Sequence, residues 1–281
     1  MSELYPLPKH AILLIVLTEK RNADSETYLD ASLALTGAFS NGILALIIGS
    51  VFYNLPPNTG SFFSRGVLLF FAVLLNAFSS FLEILTLYAQ RPIVEKQSMY
   101  AFYHPFSEGI ASMICDLPNK IASSIMFNIT LYFLTNLRRT PGAFFTFYLF
   151  SFLCLLTMSM IFRTIGAMSR TLAQAMAPAA VFMLALVIYT GFTVPIQYMH
   201  PWFRWINYLD PVAYAFEALM INEFHNRRFD CSVYVPQGPG YANVAPDERV
   251  CSAVGAAPGA SFVEGDTYIK DSFSYYAPHL W

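Results

Sequence analysis

From Ala31 to Ser64 the chain runs 34 residues without an Asp, Glu, Lys or Arg. Nothing else in the sequence limits its fold as strongly. About 20 apolar residues carry a helix across the hydrocarbon core of a bilayer, and there the backbone must satisfy its own hydrogen bonds. Four more stretches share this character: Gly66–Leu82 with apolar character continuing to about Tyr88, Ile110–Asn136, Pro141–Phe162, and Thr171 to about Pro195. Together they predict an all-α integral membrane protein with five transmembrane helices at about 29–52, 65–88, 110–136, 141–162 and 171–194. Only 12% of residues are charged and 56% are hydrophobic, against about 25% charged in an ordinary soluble domain. This composition excludes a water-facing globular enzyme and a disordered chain. A net charge of −2 supplies no basic field for nucleic acid.

The charges divide the chain. Residues 29–194 hold five acids and eight bases, whereas the shorter segment 195–281 holds nine acids and five bases. Residues 1–28 are an atypical N-terminal segment, since Ala11–Leu17 is only seven apolar residues, too short to span. With the N-terminus in the cytoplasm, the inside segments carry Lys9, Lys20, Arg21, Arg91, Lys96, Arg163 and Arg170. The short outside loops then carry Arg65, Arg138 and Arg139, and seven against three favours that orientation. Segment 195–281 is then external. Asp210-Pro211 reads as a helix cap and first turn. Val212, Phe216, Leu219 and Glu223 follow at helical spacing. Trp202, Trp205, Tyr208 and Tyr214 suit the headgroup level, so 195–226 is expected to form short re-entrant helices and the Gly/Pro-rich 227–281 an irregular external loop. Cys231 and Cys251 both fall in this tail. In an oxidising compartment they would pair; two free thiols are the alternative, and zinc is disfavoured without a CxxC or His pair.

Chemical motifs are scarce. No GxxxxGK[ST] and no GxSxG occurs, and no two histidines stand at metal-ligand spacing. His225 and Asp230 match the HxxxxD pattern of some membrane acyltransferases, a two-letter pattern that also arises in ordinary loops. What remains is polarity within the spans. Glu83 is an intramembrane acid that needs a partner or water. Asn76, Ser79 and Ser80 give the second span a polar patch beside Phe78. Gln90–Glu108, with Arg91, Glu95 and Lys96 among aromatic residues, reads as a cytoplasmic loop that is either a solvated connector or a docking surface.

Several strings together resemble the first membrane domain of fungal pleiotropic drug resistance transporters of the ABCG class. These are Asn41–Leu55, Leu75–Ile84, Arg91-Pro-Ile-Val-Glu-Lys96, Tyr103-His-Pro105, Tyr189-Thr-Gly-Phe192, Ile221-Asn-Glu-Phe-His225 and Tyr234–Pro239. The resemblance covers about residues 28–281 and implies the translocation path of an ATP-driven exporter of lipophilic drugs or lipids. It implies a substrate cavity at Asn76, Phe78, Ser79, Leu184 and Val187, an outward gate at Phe192 and Thr193, and coupling to an ATPase through Arg91, Glu95 and Lys96. Its expected partners are the bilayer, a nucleotide-binding domain holding ATP and Mg, a second membrane domain and lipophilic small molecules. The expected location is the plasma membrane. The family has a sixth span and a nucleotide-binding domain that these 281 residues lack, so the chain is expected to be a fragment without enzyme activity of its own. A non-transporting, pseudogene-like membrane protein is the alternative.

Overall fold

The computed structural model describes residues 35–100, 105–237 and 248–280. The chain is mostly helical. Its helices are α1 (Leu35–Val51), α2 (Phe62–Phe81), α3 (Glu83–Met99), α4 (Pro105–Leu134), α5 (Pro141–Met168), α6 (Leu172–Tyr189), α7 (Trp205–Leu209), α8 (Pro211–Phe224) and α9 (Gly265–Phe273). Three helical runs are long and apolar enough to cross a membrane: Thr59–Met99, Pro141–Met168 and Leu172–Tyr189. The atypical segment 1–28 lies outside the described residues, as does the start of the first predicted span.

Two predicted boundaries are corrected. The helix of the second predicted span does not stop near residue 88. Helix α3 follows α2 after Leu82 alone and continues to Met99, so Arg91, Glu95 and Lys96 stand on a helix rather than in a loop. The drop in apolar character removed the burial signal but supplied no stop. Thr86, Gln90 and Glu95 are compatible with a helix, and Pro92 forfeits a single backbone hydrogen bond. Helix α4, which carries the third predicted span, starts at Pro105, ahead of the expected 110, and contains Asp116, Pro118 and Lys120.

The sixth helix begins where the Thr171 hydroxyl accepts from the Gln174 N–H at 3.4 Å. It ends at Tyr189, and Gly191 turns the chain at φ +96°, a conformation that favours glycine. Short helices α7 and α8 then form as expected from the sequence. The Asp210 carboxylate accepts the Val212 N–H at 2.8 Å, and Pro211 opens α8. Burial pushes the Asp210 carboxyl up to about 7, against that capping bond.

The tail is not the irregular loop expected. Strand β1 (Arg228–Asp230) pairs antiparallel with β4 (Phe262–Glu264), and β2 (Tyr234–Val235) with β3 (Val250–Cys251). Strands of two or three residues are too short to leave an alternating signal in a Gly/Pro-rich sequence. What orders them is burial. Phe62 at the start of α2 lies 5.0 Å from Phe229, 4.2 Å from Tyr268 and 5.5 Å from Phe224, ring centre to ring centre. Gly265 lets α9 approach α8, since a Cβ there would sit 2.2 Å from the Phe224 carbonyl oxygen.

A disulfide joins Cys231 to Cys251 across a sequence separation of 20. Closing a loop of this size contributes about 3 kcal/mol in the chain-entropy picture. Cys251→Ser is therefore expected to loosen the tail and speed limited trypsin cleavage at Arg227 and Arg228 several-fold. Digestion at the wild-type rate would show that the aromatic packing alone holds the tail.

Candidate functional site

A cleft of about 460 Å³ opens between α1, the second half of α2, α4 and α5. Asn41 and Leu44 contribute from α1, Asn76, Phe78 and Ser79 from α2, and Lys120 and Ser124 from α4. The polar groups of α2 are largely satisfied by their own helix. The Asn76 amide donates to the Ala72 carbonyl at 2.8 Å, and the Ser79 hydroxyl donates to the Asn76 carbonyl at 2.8 Å. Ser80 reaches across to the Leu155 carbonyl of α5 at 3.1 Å, fixing the two helices together. Such back-bonding lets polar side chains sit at membrane depth without a desolvation penalty for an unpaired group. Phe78 is 40% exposed and Leu44 37%, so the cleft also presents a broad apolar wall.

At one end the cleft meets a cluster of charges. Glu83 accepts from Lys120 at 2.9 Å, from Arg163 at 2.7 Å and from the Ser159 hydroxyl at 2.6 Å. Arg163 also donates to the Ser112 hydroxyl at 3.1 Å and pairs with Asp116. Two acids thus face two bases, and two helices, α4 and α5, supply the cations that neutralise Glu83 at the start of α3. Within low-dielectric surroundings an unpaired member of this set would be very costly, whereas the paired set is tolerated.

The other residues singled out in the sequence fall elsewhere. Leu184 and Val187 stand on α6, outside this cleft; Leu184 is 61% exposed, while Val187 packs partly against the core. Phe192 is drawn into an aromatic cluster, stacked on Phe70 at 4.9 Å and edge-on to Phe216 at 5.6 Å. Thr193 beside it is exposed. On α3, the Arg91 guanidinium donates to the Ser169 carbonyl at 2.8 Å and contacts Glu95 at 3.3 Å, and the Tyr88 hydroxyl donates to the same Ser169 carbonyl. These bonds tie α3 to the α5–α6 connection. Glu95 and Lys96 are exposed. His225 pairs with Asp266 at 2.7 Å, and Asp230 lies in β1, so the HxxxxD pattern does not set up an acid–base pair. No cluster of metal-ligating side chains occurs among the described residues.

One cluster was missed by the sequence reading. Arg65 is fully buried and bonds Glu223 at 2.5 Å, the Ser61 hydroxyl at 3.1 Å and the Leu55 carbonyl at 2.9 Å. Glu223 further accepts the Arg138 backbone N–H at 2.9 Å and pairs with Arg227. Orientation counting placed Arg65 and Arg138 in short outside loops. The only local hint was Glu223 in an otherwise apolar helical pattern.

Comparison with known proteins adds an independent line. Residues 16–224 match the family of ABC-2 type transporters, and residues 235–281 match the family described as CDR ABC transporter. The chain is 63% identical over 254 residues to "ABC multidrug transporter C" of Aspergillus fumigatus, covering 90% of this chain and 17% of that protein. It is 59% identical over 252 residues to "ABC multidrug transporter MDR3" of Trichophyton rubrum, with the same coverage. It is 58% identical over 252 residues to "ABC multidrug transporter AFR2" of Cryptococcus neoformans, covering 90% of this chain and 16% of that protein. The chain therefore spans about a sixth of the length of the curated relatives it matches.

Proposed function

Because this chain, a multi-pass membrane protein, belongs to the ABC-2 type transporter family, we propose that it forms part of the translocation path of an ATP-driven exporter of lipophilic drugs or lipids at the plasma membrane. The observation that carries this reading is the cleft at Asn76, Phe78 and Ser79, an apolar wall with a few placed polar groups. Such a surface binds lipophilic ligands without demanding one orientation. Five spans would bound it, with α1 and α4 completing the three helical runs of clear spanning length. Leu184 and Val187 on α6 would face the second membrane domain of a full transporter, so that the substrate path is completed between domains. Phe192 would act as the outward gate, since releasing its contacts with Phe70 and Phe216 would part α2 from the segment after α6; Thr193 would line the opening.

Hydrolysis of ATP with Mg would occur on a nucleotide-binding domain, for which these residues carry no phosphate-binding loop. The α3 segment would receive its motion. Glu95 and Lys96 offer an exposed charged face, and Arg91 passes a displacement of α3 to the α5–α6 connection through Ser169. The short helices of 195–226 would lie in the outer leaflet, with the disulfide-bonded tail outside the cell, in keeping with the excess of basic residues on the opposite side.

The test is a change of substrate profile. In a full-length relative, Phe78→Ala is expected to alter relative resistance among lipophilic drugs by severalfold at equal surface level, because it removes one wall of the cleft. If resistance to every drug fell in proportion to surface protein, Phe78 would be a packing residue and the cleft would lose its role.

A further inference from the structure

Helix α7 is five residues long and has a cavity on each side. One, of about 340 Å³, lies between the 196–217 segment and the tail and carries a few polar side chains on a mainly apolar wall. It is lined by Gln197, Arg204, Asn207, Tyr208, Glu217 and Tyr275 among others. The other, of about 570 Å³, is an almost wholly apolar groove between α6 and α7, lined by Val181, Phe182, Ala185, Trp205, Ile206 and Leu209. Arg204 and Trp205, adjacent in sequence, thus open one cavity each. The Arg204 Nε is buried and has no hydrogen-bond partner, an expensive state for a guanidinium unless something absent from the chain supplies an acceptor. Trp202, Trp205, Tyr208 and Tyr214 are each more than half exposed around it, the pattern of side chains that sit where hydrocarbon meets headgroups.

The geometry points to a resident phospholipid bound around α7: its phosphate on Arg204 in the smaller cavity, its acyl chain in the groove of α6. Arginine recognises phosphate oxygens through paired N–H donors. Glu217 on the wall of the same cavity, with the rings of Tyr208 and Tyr214 near it, matches an ammonium carried a few bonds from that phosphate. The pocket wall is therefore suited to a zwitterionic headgroup, whereas an anionic one would place its extra charge beside Glu217. A free phosphate would satisfy Arg204 but leave the groove unfilled. This site is separate from the cleft at Asn76, and the bound lipid would fix α7 against α6 rather than be transported. The inference takes from the proposed function only that the chain lies in a bilayer, so loss of transport in another assay leaves it standing.

The chain purified in detergent and stripped of lipid provides the test. Native mass spectrometry with added phosphatidylethanolamine should show one lipid retained per chain, in preference to phosphatidylserine. Arg204→Gln should weaken retention about tenfold, the loss expected for a charge-assisted hydrogen bond, with Arg204→Lys intermediate. Ala185→Phe, which fills the groove from a partly exposed position, should weaken it comparably, and Arg139→Gln at an exposed site should leave it unchanged. Equal retention by Arg204→Gln and Arg139→Gln would overturn the site. Preference for phosphatidylserine would overturn the zwitterionic assignment. Displacement of the lipid by millimolar inorganic phosphate would show an anion site without a lipid.

Discussion

Glu223→Ala is expected to destabilise the chain by about 3–5 kcal/mol, the range for removing one partner of a buried ion pair. Arg65 would be left fully buried with its charge answered by the Ser61 hydroxyl, the carbonyls of Leu55 and Pro56 and the face of Phe229. The Arg138 backbone N–H would lose its acceptor and Arg227 its partner as well. The measurement is thermal unfolding of the purified chain in detergent, alongside Glu223→Gln, which keeps an acceptor for one or two of these donors and should fall between. Pairing Glu223→Ala with Arg65→Met should recover part of the loss, because the stranded charge goes too. If the double variant were no more stable than the single one, the cost would lie in packing around α8 rather than in the charge.

The second large effect concerns the charges at the end of the cleft. Glu83→Ala leaves Lys120 and Arg163 with only Asp116 between them, in a setting where both cations are about 85% buried. A loss of about 3 kcal/mol is expected, and α3 should separate from α4 and α5, since Glu83 is the group that both helices grasp. A cross-link between cysteines placed at Leu87 and Gly166, neighbours because the Leu87 Cδ2 lies 3.2 Å from where a Gly166 Cβ would sit, reports that separation. Rapid cross-linking in the wild-type background and slow cross-linking in Glu83→Ala is the expected pair of results. The same rate in both would mean that Glu83 neutralises charge without holding α3 in place.

What was legible in the sequence was local. Asp210 and Pro211 specify the start of α8 because a cap and a first-turn proline act within three residues of each other. Tyr189 to Pro195 declares its break because Gly191 needs positive φ. Glu83 declared a need for partners, but Lys120 and Arg163 lie 37 and 80 positions on, and nothing in a one-dimensional pattern matches one acid to two distant bases. Arg65 was the harder case. Its neighbours Phe62, Phe63 and Ser64 make it look like a loop charge between spans, whereas the tail that buries it is assembled from strands too short to be read. The end of α3 was misjudged for a different reason. Hydropathy marks where a helix stops being buried, and α3 outlasts its burial by more than two turns. The cleft was only partly foreseen, since Asn76, Phe78 and Ser79 share one helix but Leu184 and Val187 belong to another surface.

The Arg65–Glu223 pair also sets an order of events during synthesis. The two residues are separated by 158 positions, which a ribosome covers in roughly 10–30 s at ordinary elongation rates. Throughout that interval α2 has been delivered with its arginine but without the glutamate that neutralises it. The acceptors on Ser61, Leu55 and Pro56 are available to the Arg65 donors at once, being within ten residues, and they hold the guanidinium at the mouth of the helix meanwhile. Five helices, α3 to α7, must then be made before α8 arrives to close the contact. The pair is thus a late latch, and until it shuts the Arg65 end of α2 remains open to water, insertion factors and quality control.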